Sequence, residues 1–193
     1  MAQDDKRESE QIKIFGLKKK SNSNRGSRYL PDAVLSIDGK TYDFELKTGS
    51  KVSFSTARGM DRQKIVDWKK NDFFIFSKYE NDKREKEGFR FTKHIVCKPD
   101  NLEFFFNHVI DKVNVSGHAG KVGFDEYTEI VRPLLENHLS NDFLNRMDKT
   151  AKVGTEYNDP KINTNSIIQN GGEVLDLGKD LKKQLIKYIK NNT

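Results

Sequence analysis

Residues 33–48 constrain this chain more than any other stretch, because their pattern leaves one local fold open. Ala33 to Ile37 and Lys40 to Thr48 are strand-like runs separated by Asp38-Gly39. An Asp-Gly pair between two such runs tolerates the positive φ angles that a two-residue hairpin turn demands. In the second run Tyr42, Phe44 and Leu46 alternate with Asp43, Glu45 and Lys47. Successive strand side chains point to opposite faces, so Glu45 and Lys47 share one face and the apolar residues the other. Pro31-Asp32 stands directly before the first strand, with Asp32 thirteen residues ahead of Glu45. An Asp opening one strand and a Glu-x-Lys on its hairpin partner can meet at one point.

Two carboxylates and an ammonium meeting there suit the hydrolysis of a phosphodiester. Asp32 and Glu45 are hard oxygen ligands for Mg2+, and the carbonyl of Leu46 is a candidate third. A cation so held contacts a non-bridging phosphate oxygen and lowers the pKa of bound water. Lys47 then stabilises or positions the hydroxide and the charge growing on phosphorus. The tripeptide alone is weak, because the same Asp/Glu-x-Lys spacing recurs at Asp4, Asp38, Asp67, Asp159 and Asp180. Only Glu45 combines a predicted strand with an upstream Pro-Asp across a hairpin. The bland alternative is an exposed Glu45–Lys47 pair on an ordinary hairpin, contributing less than ~1 kcal/mol.

Bulk properties bound the rest. The 193 residues favour one domain. Hydrophobic residues make up 34% and charged residues 33%, and thirteen Phe supply core material, so the composition is polar yet globular. Apolar runs stay well below the roughly 20 residues of a membrane span. The opening Met1-Ala-Gln-Asp-Asp-Lys-Arg7 has no hydrophobic signal region, and the single Cys97 suits a reducing cytoplasm. A net charge of +6 fits a polyanionic partner such as nucleic acid, or a Lys-rich solvated surface. His94, His108, His118 and His138 are dispersed without Cys at zinc spacing, and Gly117 to Gly123 lacks the spacing of a phosphate-binding Walker loop.

Along the chain, residues 4–15 read as a short amphipathic helix, followed by a basic Ser/Asn/Gly loop over 18–28 that lies either on phosphates or in solvent. Residues 55–70 read as a helix with Met60, Ile65 and Trp68 on one stripe, 73–76 as a buried strand, 80–87 as a charged turn, and 89–96 as another strand. A helix opens at Pro99-Asp100, its stripe marked by Leu102, Phe105, Phe106, Val109 and Val113. Residues 124–148 look helical, 157–164 irregular, and 178–191 a basic helix whose lysines face solvent or, less simply, DNA. The order implies an α/β (α+β) fold, a mixed sheet flanked by helices. Residues 1–193 then form a single domain, with an N-terminal helix and basic loop over 1–29 and a helical insertion over 115–156.

Pro31-Asp32 followed by Glu45-Leu46-Lys47 resembles the PD-(D/E)XK nuclease superfamily. Asp32-Ala-Val, Tyr42-x-x-Glu45-Leu-Lys47, Phe54-Ser-Thr56, Met60, the neighbourhood of Phe73 to Tyr79, Lys98 to Phe106, and Asn158-Asp-Pro-Lys-Ile162 are similar, in order and approximate spacing, to PvuII-like type II restriction endonucleases. The resemblance runs from about residue 30 to 114 and again from 157 to 175. It implies a restriction-endonuclease-like fold and a homodimer that wraps double-stranded DNA. It also implies cleavage of both strands at a short palindrome with Mg2+, and catalysis by Asp32, Glu45 and Lys47. Ser55 and Thr56 then correspond to phosphate contacts, and Lys161 falls in the matching Pro-Lys segment. Where the family carries base-reading histidines, this chain has Ala57-Arg58-Gly59, and Arg58 suits guanine O6 and N7. Where the family has two Asn, this chain has Asn158, suited to adenine, and Asp159, suited to cytosine N4. Three departures stand out: a shorter N-terminal segment than the family's dimerisation region, the extra residues 115–156, and Trp68 near the place of an active-site tyrosine.

Overall fold

Phe73-Phe-Ile-Phe-Ser77 is buried without interruption, the mark of a strand covered on both faces. In the computed structural model, which describes residues 3–20, 31–56, 62–116, 132–135 and 161–193, this run opens the strand around which the sheet is arranged. The described elements are α1 (Gln3–Phe15), β1 (Lys18–Lys19), β2 (Ala33–Ile37), β3 (Lys40–Gly49), β4 (Ser53–Ser55), α2 (Arg62–Trp68), β5 (Phe73–Asn81) and β6 (Phe89–Cys97). A 3-10 turn (Pro99–Leu102), α3 (Glu103–Ser116), α4 (Arg132–Leu135), β7 (Lys161–Asn163), α5 (Thr164–Gln169), β8 (Glu173–Leu175) and α6 (Leu181–Asn192) complete them. By its contacts the chain divides into two compact units. The first comprises Met1–Phe54, Asp67–Leu102 and Ile162–Thr193, and the second Ser55–Val66 and Glu103–Lys161.

The first unit holds a mixed sheet of order β1-β2-β3-β5-β6-β8 among the described residues, so the α+β class expected from the pattern is observed. The hairpin forms as its sequence dictates. Asp38 (φ 51°) and Gly39 (φ 85°) both take positive φ, and Ala33 pairs with Phe44 through to Ile37 with Lys40. Strand β3 then runs parallel to β5, Glu45 opposite Phe74 and Lys47 opposite Phe76. Parallel neighbours need a crossover connection, which here passes through β4 and α2. Tyr42, Phe44 and Leu46 join Phe73 and Ile75 in a core completed by Phe15 of α1 and by Leu185, Tyr188 and Ile189 of α6. Burying one such side chain stabilises by about 1.5–3 kcal/mol, which anchors both helices to this face.

Several expectations are corrected. Of the helix expected over 55–70, Ser55 instead ends β4, 57–61 lie outside the described residues, and α2 spans Arg62–Trp68. Pairing explains this: β4 forms a two-stranded sheet with β7, and Phe54 is fully buried against Phe76 at 5.1 Å between ring centroids. The same pairing makes Lys161–Asn163 a strand within the stretch expected to be irregular. Strand β5 extends through Asn81, into the expected turn, and α5 and β8 were not anticipated. Of the expected insertion, 117–131 and 136–156 lie outside the described residues, as do 21–30 of the N-terminal region.

Candidate active site

The end of β2 and the middle of β3 build one cluster. Asp32 stands just before β2, where its N–H still donates to Phe44 O at 2.9 Å in the manner of the ladder. Its side chain then takes over the next ladder position, with Oδ2 accepting from the Leu46 N–H at 2.8 Å. That bond holds the Asp32 carboxylate beside Glu45-Leu46-Lys47. The ammonium of Lys47 donates to Glu45 Oε1, lies 3.1 Å from Leu46 O and 3.8 Å from Asp32 Oδ2. The structure therefore brings together all the residues the sequence assigns to catalysis and metal binding.

The cluster is largely dry. The side chains of Lys47 and Asp32 are 17% and 27% exposed and that of Glu45 only 11%. Phe74 and Phe76 are buried beneath the same face, and the Trp68 ring centroid lies 5.3 Å from Lys47 Nζ, within cation–π range. Burial lifts the Glu45 carboxyl above its ordinary value, Lys47 pulls it back, and the Asp32 charge adds to the lift. Burial alone would depress the Lys47 ammonium, but Glu45 and Asp32 together outweigh it and hold it above the usual value. Lys47 thus remains a cation at neutral pH and suits charge stabilisation rather than proton abstraction. The exposed surface pair considered from sequence does not describe this buried, three-way arrangement.

The donors fit a hard cation in kind: two carboxylates and a carbonyl converge on a group that is itself positively charged. Among the described residues no set of three or more His, Cys, Asp or Glu could hold a metal, so the fit rests on Asp32, Glu45 and the Leu46 carbonyl.

Helix α1 contributes what the sequence did not announce. Glu8 bonds Lys19 at 3.1 Å and adds its charge to the fields that raise both Glu45 and Lys47. Gln11, fully buried, points its Nε2 at Lys47 O (3.4 Å), Ile75 O (3.4 Å) and Ser77 Oγ (2.7 Å). Ser77 Oγ in turn shares a hydrogen bond with His94 Nδ1 at 2.7 Å. Burial depresses the His94 pKa to about 4, so the imidazole is neutral at neutral pH. It packs between Phe15 and Phe91. Charged and amide residues in a polar helix look like a solvated face, so no local signal marks Glu8 or Gln11.

The expected DNA contacts are served unevenly. Lys161 Nζ donates to Ser55 Oγ at 3.0 Å, joining two of them on the paired strands β4 and β7. Thr56 follows β4, half-buried. Arg58, Asn158 and Asp159 lie outside the described residues. Among the described residues no helix is long and apolar enough to cross a membrane. No family model matches the chain, and no curated protein matches it.

Proposed function

We propose that this protein is a Mg2+-dependent type II restriction endonuclease of restriction-endonuclease-like fold. It cleaves both strands of duplex DNA at a short palindrome and acts as a cytoplasmic homodimer. The convergence of Asp32, Glu45, Leu46 O and Lys47 at the hairpin carries this reading, because these residue types in a dry setting match what phosphodiester hydrolysis requires. The mixed sheet, with Glu45 and Lys47 on a strand paired on both sides, supports it, as does the net charge of +6.

In this mechanism Asp32, Glu45 and the Leu46 carbonyl hold the cation, which supplies Lewis acidity towards a phosphate oxygen and a water molecule. Asp32 is oriented by the Leu46 N–H. Glu45 is kept in place by the parallel pairing with β5, so the donors are fixed before substrate arrives. Lys47 offers its charge to the phosphate oxygens as negative charge grows there, and the low exposure of the site strengthens that interaction. Ser55, Thr56 and Lys161 contact phosphates. Arg58 reads guanine, and Asn158 with Asp159 reads adenine and cytosine edges in the major groove.

Digestion of unmethylated plasmid DNA with Mg2+ tests the reading. Discrete fragments are expected, and they should vanish with EDTA. Cutting confined to nicked or branched DNA, without discrete fragments, would instead indicate a repair nuclease on the same site. Salt-sensitive binding without cleavage would indicate a DNA-binding module.

A further inference from the structure

Lys47 touches the same three groups to which metal binding has been assigned. Its ammonium donates to Glu45 Oε1, lies 3.1 Å from Leu46 O, and stands 3.8 Å from the Asp32 Oδ2 that also accepts from the Leu46 N–H. We propose that the Lys47 ammonium is the resident cation of the metal position, that a divalent ion enters by displacing it, and that Lys47 thereby weakens the site's affinity for metal. The inference rests on the metal-dependent nuclease reading and deepens it: the lysine that serves catalysis also competes with the cofactor.

The argument is one of space and charge. Mg2+ needs oxygens at about 2.0–2.1 Å and Ca2+ at about 2.3–2.6 Å. A divalent ion drawn that close to Glu45 Oε1 and Leu46 O would occupy the space the ammonium fills and repel it. Two carboxylates brought together in a largely dry site need a positive charge to stay together, and Lys47 provides it. The Trp68 ring, 5.3 Å from this same ammonium position, gives a displaced ammonium a favourable aromatic surface beside the site. In the structure the ammonium holds Asp32 and Glu45 in register; displaced, its charge would be available to a phosphate.

Calorimetric titration of the full-length protein with CaCl2 tests this without relying on cleavage. Lys47→Met removes the charge and keeps the length, and Lys47→Arg keeps the charge. If the ammonium competes, Lys47→Met should bind Ca2+ at least about tenfold more tightly than wild type, because a like charge a few Å away has been removed. Lys47→Arg should stay close to wild type. Lys47→Gln stands in should Lys47→Met fail to fold by circular dichroism. Equal or weaker Ca2+ binding by the neutral variants, beside Mg2+-dependent cleavage by wild type, overturns the inference and leaves the nuclease reading intact. Absence of Ca2+ binding in every protein overturns both.

Discussion

The two faces of β3 are built from alternate residues of one ten-residue strand and obey different physics. On one face Tyr42, Phe44 and Leu46 meet α1 and α6 in an apolar core where each buried group lowers the free energy of the fold. On the other, Glu45 and Lys47 are nearly as buried, yet burial works against their charges, and their mutual contact, joined at Lys47 by the charges of Asp32 and Glu8, opposes that cost. The difference teaches that the first face holds the strand in place and the second uses that placement. A carboxylate and an ammonium kept out of water at a cost in stability mark a functional site more clearly than charges on the surface do.

The comparison can be tested from its stronger side first. Phe44→Ala, on the core face, should cost about 3–5 kcal/mol in chemical denaturation, since Phe44 is fully buried against Phe73. A loss below about 1 kcal/mol would show that this face is not what fixes the strand. Next comes the polar network beneath that face. His94 is neutral in the fold with a pKa of about 4 against 6.5 in the unfolded chain, so the unfolded chain takes up its proton first as pH falls. Stability should be full above pH 6.5 and decline towards pH 4, by about 3 kcal/mol from this group. Denaturation curves of His94→Gln across that window should lack this share of the decline; identical slopes would contradict the buried neutral imidazole. On the charged face the sign reverses. Replacing both Glu45 and Lys47 by Met should leave the protein as stable or raise its stability by about 1–3 kcal/mol, because the desolvation cost disappears with the pair. A marked loss would mean that the pair is structural.

How much of this was legible in the sequence depends on the range of the interaction that decides each element. The hairpin was readable because Asp38-Gly39 and period-two alternation are local signals, and the same alternation put Glu45 and Lys47 on one face. Three of the look-alike motifs have other settings in the fold. Asp38 sits in the turn and bonds Lys190 at 2.8 Å, Asp67 lies on α2, and Asp180 caps α6 by accepting from the Lys183 N–H. Ser55, the last residue of β4, falls within the helix expected over 55–70 because its strand's partner β7 lies more than a hundred residues away, as the Ser55–Lys161 bond records. Strand β8 carries no local signal for a similar reason: three residues acquire strand geometry only by pairing with β6 at the sheet's edge. Glu8 and Gln11 reach the site because α1 folds back onto the sheet, and no spacing rule links positions 11 and 47.

The central claim is that the charged face of β3 hydrolyses DNA with a divalent cation. The most direct measurement compares initial rates of plasmid cleavage with Mg2+ for wild type, Asp32→Ala, Glu45→Ala and Lys47→Ala, each first shown to be folded. Wild type should cut, and every variant should fall by about 10³-fold or more, as expected when a preorganised charge is removed from the reacting centre. Undiminished cleavage by folded Lys47→Ala and Glu45→Ala, or no cleavage by wild type on any unmethylated DNA with Mg2+, would contradict the account.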